Sequence, residues 1–247
     1  MPESSHQCQS QSQSQSPLVS VLIPVFNGAK YLAATIESVL AQEGVATEII
    51  LVDDGSTDGS AEVARAFEPR VRLVCRPHSG LAATRNAALR EARGNFIAHL
   101  DNDDLLTPGS LQVRLARLLA DPQLDIVAGH QQSFFSEDMD PEVRSRLQIP
   151  ETPQPGHLAG VAVIRSRVFE QLGGLDESFR SFGDFDWFLR ATERGFRIEV
   201  LPEVVLRRRV HGANMSLTRK AEADLERARI LKASLDRRRA RSQKGPS

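Results

Sequence analysis

Apolar and polar positions alternate along the first half of the chain in a repeated succession of strands and helices. The run from Val19 to Val25 is β-branched and mostly apolar, which predicts a strand buried on both faces. Tyr31 to Leu40 follows with apolar residues at helical spacing. The succession continues with predicted strands at 48–52, 71–75, 95–100 and 125–129 and predicted helices at 81–92 and 108–119. Short strands alternating with helices predict an α/β fold with a mostly parallel central sheet flanked by helices.

The second half of the chain is less regular. Residues 131–157 carry several prolines and fit neither a strand nor a helix pattern, so we expect an irregular stretch. A strand is expected at 160–165, helices at 166–172 and 184–194, and a strand at 196–201. Residues 217–241 predict a charged helix with a thin apolar line through Leu217, Leu225, Ile230 and Leu235.

Composition and charge divide the chain into three parts. Residues 1–16 are rich in Gln and Ser and predict a disordered tail, residues 17–216 predict one folded domain, and residues 217–247 predict a basic helical tail. The net charge of −1 conceals a net of +9 from residue 207 onwards and −10 before it. No apolar run reaches the roughly 18–20 residues of a membrane span, and the N-terminus does not resemble a secretory signal. Two cysteines give neither a disulfide framework nor a zinc site, so we expect a cytoplasmic protein.

Polar residues follow three of the predicted strands. The residues at these strand ends are Phe26-Asn27, Asp53-Asp54 and the run Asp101-Asn102-Asp103-Asp104, all of them polar except Phe26. Ligands of open α/β sheets bind beyond the carboxyl ends of the strands, so these residues predict one shared site. The alternative for each is an ordinary turn or helix cap, a position in which Asp is common.

Three carboxylates within four residues repel one another unless a cation neutralises them. Mg²⁺ or Mn²⁺ with oxygen ligands fits this cluster, whereas an EF-hand does not, because its sixth and twelfth positions would be Leu106 and Gln112. The chain also lacks a G-x-G-x-x-G fingerprint and a P-loop. The motifs therefore favour a phosphate ligand bridged by a metal ion.

Several blocks in fixed order resemble family 2 glycosyltransferases over about residues 18–216. The blocks are residues 21–28, 38–42, 52–58, 80–88, 100–104, 169–177 and 184–190. The resemblance implies the GT-A fold, in which a nucleotide-binding half is fused to an acceptor-binding half. It also implies an inverting transfer of a sugar from a nucleotide-diphosphate sugar, with UDP-sugars favoured, to a hydroxyl of a saccharide or lipid-linked acceptor.

The resemblance also implies roles for individual residues. Those expected to bind the nucleotide sugar are Pro24, Val25, Phe26, Asn27, Asp53, Asp54, Arg85 and Asp101. Asp101 to Asp103 form the D-x-D motif, and Asp103, Asp104 and His211 are expected to hold Mn²⁺ or Mg²⁺. A surface histidine in a glycine-containing loop is the alternative for His211.

Asp184 is implied to be the general base. Many relatives have Glu-Asp where this chain has Gly183-Asp184, so an N-cap remains an alternative for Asp184, and Asp186 is a second candidate for the base. Trp187 is expected in the core or in a wall of the acceptor cleft.

Two other functions stay open at the level of sequence. A metal-dependent nucleotidyltransferase also uses an Asp-rich site, although residues 24–28 lack the basic group that such enzymes carry after the first strand. A nucleic-acid-binding protein would use the basic tail, but the acidic body argues against that partner. The tail is interpreted as a solvated helix, a partner-binding helix, or a peripheral contact with the inner face of a membrane.

Overall fold

The computed structural model describes residues 16–156, 159–214 and 220–243. Its first half forms strands and helices in the predicted order. The strands are β1 (Leu18–Val25), β2 (Ala46–Asp53), β3 (Val71–Cys75) and β4 (Phe96–His99). The helices are α1 (Ala29–Leu40), α2 (Ser60–Arg65), α3 (Leu81–Glu91) and α4 (Ser110–Ala120). The four strands pair in parallel in the order β3-β2-β1-β4, so their carboxyl ends share one edge.

The second half extends the same sheet with antiparallel pairs. Its strands are β5 (Leu105–Leu106), β6 (Ile126–Phe135), β7 (Gln154–Pro155), β8 (Ala162–Arg165) and β9 (Ile198–Val210). Its helices are α5 (Pro141–Arg146), α6 (Ser166–Leu172), α7 (Gly183–Glu193) and α8 (Lys220–Gln243), with a 3₁₀ turn at Ala159–Val161. Across the described residues the sheet order is β3-β2-β1-β4-β8-β6-β9-β5, with β7 beside β6.

The sheet is mixed, and its longest pairings are parallel, as the sequence predicted. β8 pairs antiparallel with both β4 and β6, while β6 and β9 are parallel. β6 continues to Phe135 and β9 to Val210, well beyond the predicted ends. The outer half of β6 is only partly buried, and the outer half of β9 contains three consecutive arginines, so periodicity did not reveal them. The mutual pairing of β6 and β9 supplies the backbone hydrogen bonds that keep these residues extended.

The core forms around β1, which lies between β2 and β4. Val19, Val21, Leu22 and Ile23 are all fully buried, which explains a strand apolar on both faces. Helix α1 packs its stripe of Leu32, Ile36 and Val39 on this sheet. The parallel half is therefore a rigid base for the residues that follow its strands.

Helix α8 packs against α7 through a different face from the one predicted. Ile230 is buried as expected, but Leu225 and Leu235 are exposed, and Leu217 lies outside the described residues. The buried face instead includes Ala223, Glu226 and Ser234. A face that contains a glutamate and a serine is invisible to a search for apolar periodicity. No helix in the described part of the chain is long and apolar enough to cross a membrane.

Candidate active site

An open cleft of about 1650 Å³ lies at the carboxyl ends of β1, β2 and β4. The predicted site residues that line it are Pro24, Val25, Phe26, Asn27, Asp54, Arg85, Asp101, Asp103, Asp184 and His211. Asp53 and Asp104 do not line it. The parallel register explains the convergence, because Val25 pairs with Asp53 and Leu22 with His99, which puts the three strand ends side by side.

Asp54 anchors the loop after β3 to the end of β2. Its carboxylate accepts hydrogen bonds from the Ser79 amide and hydroxyl and from the Gly80 amide, at 2.8 to 3.0 Å. Burial by itself would raise the pKa of Asp54, but these hydrogen bonds outweigh burial and lower the pKa below its usual 3.8. Asp54 is therefore an anionic acceptor at this end of the cleft.

Phe26 and His78 form an aromatic wall beside Asp54. Their rings stack with centroids 4.2 Å apart, and Phe26 is 48% exposed. The adjacent Asn27 has a φ of 51°, in the left-handed region that Asn tolerates better than most residues. Its side-chain oxygen accepts a hydrogen bond from the Thr57 amide at 2.9 Å, which joins the turns after β1 and β2. An exposed flat ring beside an anionic acceptor suits a planar heterocycle.

Asp53 faces the turn after β2. It is buried, and its carboxylate accepts hydrogen bonds from the amide and hydroxyl of Ser56. In this structure Asp53 shapes the Asp-Gly-Ser-Thr turn that carries Asp54, in agreement with the turn alternative for this residue.

The acidic loop at 101–104 is held from behind by α1 and β9. The Thr35 hydroxyl lies 3.0 and 2.9 Å from the carbonyl oxygens of Asn102 and Asp104. Arg209 donates its backbone amide to the Asp104 carboxylate at 2.8 Å and its Nε to the Asp103 carbonyl at 3.0 Å. A Cβ at Gly28 would overlap the side-chain amide of Asn102, so any larger residue there would displace that side chain.

Asp103 and His211 meet in the cleft. Asp103 Oδ2 lies 2.9 Å from His211 Nε2 and 3.3 Å from Asn214 Nδ2. Asp104 is turned towards β9 and is buried. Burial, together with the charges of Asp103 and Asp101, raises the pKa of Asp104 well above its usual value.

The predicted three-ligand metal set is only partly assembled. Within the described residues no three His, Cys, Asp or Glu side chains come together as a metal-binding group. A cation that bridges phosphate oxygens needs only one or two protein ligands, so Asp103 and His211 fit such an ion. Asp104 does not fit in this structure, because the short pairing of β5 with β9 turns its carboxylate away from the cleft.

Arg85 joins two carboxylates across the cleft. Its side chain is buried, with Nη2 2.6 Å from Asp101 and Nη1 3.7 Å from Asp184. Burial raises the pKa of Asp184, Arg85 lowers it and Asp101 raises it, and the net result is a pKa above 3.8. A buried carboxylate with a raised pKa in a cleft is suited to accept a proton.

Asp186 lies on a different face of α7 from Asp184. Its carboxylate is 2.7 Å from Arg190 Nε and 3.6 Å from Arg237 Nη2, and it does not line the main cleft. Trp187 is 2% exposed and donates its indole N–H to the Gly173 carbonyl at 2.9 Å, so it belongs to the core. Of the two candidate bases, only Asp184 reaches the cleft.

Three further residues shape the site and were missed by the sequence analysis. They are His78, which stacks on Phe26, Asn214, which contacts Asp103, and Glu226, which accepts hydrogen bonds from the segment before α7. Arg76-Pro77-His78-Ser79-Gly80, a turn-forming run after a strand, could have drawn attention to His78. Nothing in the local sequence distinguishes Glu226 from the other acidic residues of α8.

Two solved structures share this architecture at low sequence identity. TarS of S. aureus in complex with UDP-GlcNAc matches with a TM-score of 0.66 and 19% identity over 79% of this chain and 59% of that chain. The mannosyltransferase PcManGT of Pyrobaculum calidifontis, in complex with GDP-Man and Mn²⁺, matches with a TM-score of 0.63 and 23% identity over 81% and 59%. The fold is therefore the GT-A fold of nucleotide-sugar glycosyltransferases, as the resemblance implied.

The chain belongs to Glycosyl transferase family 2, whose profile matches residues 20–174. An uncharacterized glycosyltransferase of Rickettsia typhi (strain ATCC VR-144 / Wilmington) is 31% identical over 82% of this chain and 67% of its own length. The chondroitin synthase of Pasteurella multocida (strain Pm70) is 30% identical over 81% of this chain, which spans 21% of that enzyme. The chain spans 21–30% of the length of the synthases it matches, and its membership of Glycosyl transferase family 2 argues against the nucleotidyltransferase alternative.

Proposed function

We propose that the protein transfers a sugar from a nucleotide-diphosphate sugar to an acceptor hydroxyl with inversion at the anomeric carbon. The observation that carries this proposal is the arrangement of one cleft, with an aromatic and anionic end at Phe26 and Asp54 and a buried carboxylate, Asp184, beside Arg85. The first end suits a nucleobase and ribose, and the second a proton transfer. The neighbours' complexes with UDP-GlcNAc and GDP-Man support a nucleotide-sugar donor, of which we favour a UDP-sugar.

In the proposed reaction the acceptor oxygen attacks the anomeric carbon as the nucleoside diphosphate leaves with the bonding electrons. Asp184 accepts the proton of the attacking hydroxyl, which requires its ionised form. Arg85 favours the ionised form of that carboxylate and partly opposes the effect of burial, which raises its pKa. Asp101 holds the other edge of the guanidinium.

Asp103 and His211 would hold a divalent cation, Mn²⁺ or Mg²⁺. Bound there, such an ion would offset the charge that develops on the leaving diphosphate. The support is the convergence of both side chains in an acidic cleft that would otherwise repel a diphosphate. Replacement of either residue is expected to abolish the Mn²⁺-dependent part of the thermal stabilisation of the fold by the nucleoside diphosphate. Asp104→Asn is the matched control, since that carboxylate faces β9, and it should keep the metal dependence.

A donor screen tests the proposal. Thermal unfolding is measured with UDP-, GDP- and dTDP-sugars, each with and without Mn²⁺. A donor at one hundred times its Kd stabilises the fold by about 2.7 kcal/mol, which corresponds to a Tm increase of about 5–10 °C for a chain of this size. A response to none of these donors, with or without the metal ion, would contradict the proposal.

The role of Asp184 is tested with a matched pair on one helix. Asp184→Asn is expected to lower the rate of transfer by about 10²- to 10⁴-fold and to leave the Kd of the nucleoside diphosphate within two-fold. Asp186→Asn removes an equally buried carboxylate that faces Arg190, and it should lower stability without a comparable loss of rate. Undiminished turnover in Asp184→Asn would assign the base elsewhere.

We further propose that the enzyme acts at the inner face of a membrane on a saccharide or lipid-linked acceptor. The support is the outer face of α8, where Leu225, Leu231 and Leu235 are 50–69% exposed beside Lys232 and Arg239. Exposed leucines beside basic residues suit an anionic lipid surface. We expect sedimentation with vesicles containing anionic lipid that weakens with salt and in Lys232→Glu, and none with neutral vesicles. No sedimentation at low salt would reject membrane contact.

A further inference from the structure

Helix α7, which carries Asp184, begins without a cap of its own. The residue before its first turn is Phe182, whose side chain accepts no hydrogen bond from the helix. The segment 180–182 and Asp184 both line the cleft, so the start of this helix is a wall of the site. A helix start leaves backbone amides without partners inside the helix, and these require acceptors from elsewhere.

Glu226 of α8 supplies acceptors for the amide of Phe182, immediately before the helix, and for the two amides that precede it. Its Oε1 accepts the amide of Arg180 at 2.8 Å, and its Oε2 accepts those of Ser181 at 2.8 Å and Phe182 at 3.2 Å. The side chain of Glu226 is buried. Three amides from consecutive residues converge on one carboxylate, which fixes the backbone immediately before α7.

The rest of α8 holds Glu226 in register with α7. Ile230, one turn further along, is fully buried. Two turns beyond Glu226, Ser234 Oγ lies 2.5 Å from the Glu193 carboxylate, and Arg237 Nε lies 2.6 Å from the same group. Because Glu193 is the last residue of α7, α8 contacts α7 at both of its ends.

We propose that Glu226 is a positioning residue, which sets the place of Asp184 through the segment 180–182 and makes α8 part of the catalytic domain. This inference rests on the proposed function of Asp184. Asp184 is the second residue of α7, only two positions after the last amide that Glu226 holds. A shift of that first turn would change the distance between Asp184 and Arg85, which is 3.7 Å. A displacement of about 1 Å in a catalytic group is sufficient to lower a rate by about 100-fold.

The two carboxylate oxygens of Glu226 predict a graded series of variants. In Glu226→Gln the amide oxygen can still accept from Ser181 and Phe182, but its NH₂ group then faces the amide of Arg180. In Glu226→Ala all three amides lose their acceptor. Glu222→Ala, one turn earlier on the exposed side of the same helix, is the matched control.

The test compares these full-length variants in transfer rate and in nucleoside diphosphate Kd. We expect Glu226→Ala to lower kcat by about 10- to 100-fold and to leave the Kd within two-fold, because Asp54 and Asp103 lie on other elements. Glu226→Gln should fall between Glu226→Ala and wild type, and Glu222→Ala should match wild type. Hydrogen exchange at the amides of 180–182 should accelerate in the same order.

Each outcome decides the inference. Fluorescence of Trp187, the chain's one tryptophan, reports whether α7 remains packed. If Glu226→Ala does not fold, the kcat of Glu226→Gln tests the positioning role instead. Wild-type kcat in a folded Glu226 variant would overturn the positioning role, as would a rate loss matched by an equal loss of nucleotide binding. Failure of the proposed function is distinct, because it would leave the wild-type chain inactive with every donor.

Discussion

His99 lies at the end of β4, directly before the acidic loop, and should make the stability of the fold sensitive to pH. Its side chain is 2% exposed, and neither ring nitrogen has a hydrogen-bond partner among the described residues. Burial and the nearby Arg85, opposed by Asp101, together lower its pKa from 6.5 to about 3. The folded protein therefore contains a neutral imidazole at this position.

The magnitude follows from proton linkage. Above pH 6.5 neither state binds the proton at His99, so its contribution to stability is fully present. Between 6.5 and about 3 the unfolded chain is protonated and the folded chain is not, so stability falls as the pH falls, by about 1.4 kcal/mol per pH unit. From pH 7.5 to 5.0 the loss due to His99 is about 2 kcal/mol.

The assay is urea unfolding of wild type and His99→Leu at pH 7.5 and pH 5.0. The variant removes two unpartnered polar atoms from the core, so at pH 7.5 it should be about as stable as wild type or more stable. At pH 5.0 it should exceed wild type by about 2 kcal/mol more than at pH 7.5. Ile97→Val, a buried change on the same strand, is the control and should cost about 1 kcal/mol at both pH values.

Parallel losses of stability in wild type and His99→Leu would refute this reasoning. Such a result would mean that the folded state binds a proton at His99 as readily as the unfolded chain does. A larger loss in the variant would contradict the sign of the linkage.

Three other predictions concern the cleft. Arg85→Met leaves Asp184 buried without its nearest cation, so urea unfolding near neutral pH should show a free energy of unfolding lower by about 3–5 kcal/mol. An unchanged midpoint would show that the fold does not need this ion pair. Because the pKa of Asp184 is raised, the rate of transfer should fall on the acidic side through a limb that lies above pH 3.8, and a rate independent of pH there would argue against Asp184 as the base. Because the pKa of Asp54 is lowered in the folded state, its contribution to stability is present above pH 3.8 and is lost as the pH falls through the folded-state pKa. Asp54→Asn should therefore flatten the acid side of the profile of unfolding free energy against pH, measured by urea unfolding.

The parallel half of the fold and most of its site residues were predictable from the sequence. Strand β1 is apolar at nearly every position because it lies between β2 and β4 with both faces covered, so its place could be read from composition alone. Side chains that follow the ends of parallel strands meet at one edge of the sheet, which is why the sequence could indicate that Asp54 and Asp103 line the same cleft.

Prediction was weaker where neighbours in sequence take different environments. Asp103 and Asp104 are adjacent carboxylates, yet one lines the cleft and the other is buried against β9. Asp184 and Asp186 likewise lie on opposite sides of α7. Strand pairing and helix packing decide which member of each pair faces the cleft. A sequence motif contains no information about such tertiary contacts.

The acidic body and the basic tail could be told apart by sequence, but how the two pack together could not. The sequence by itself determined that the chain forms an α/β domain with an acidic site at its strand ends, because periodicity and turn chemistry are local properties. Only the tertiary structure decided that α8 packs on α7 and that Glu226 reaches the amides before Asp184. A buried carboxylate is recognised by its partners, and those partners lie more than forty residues away along the chain.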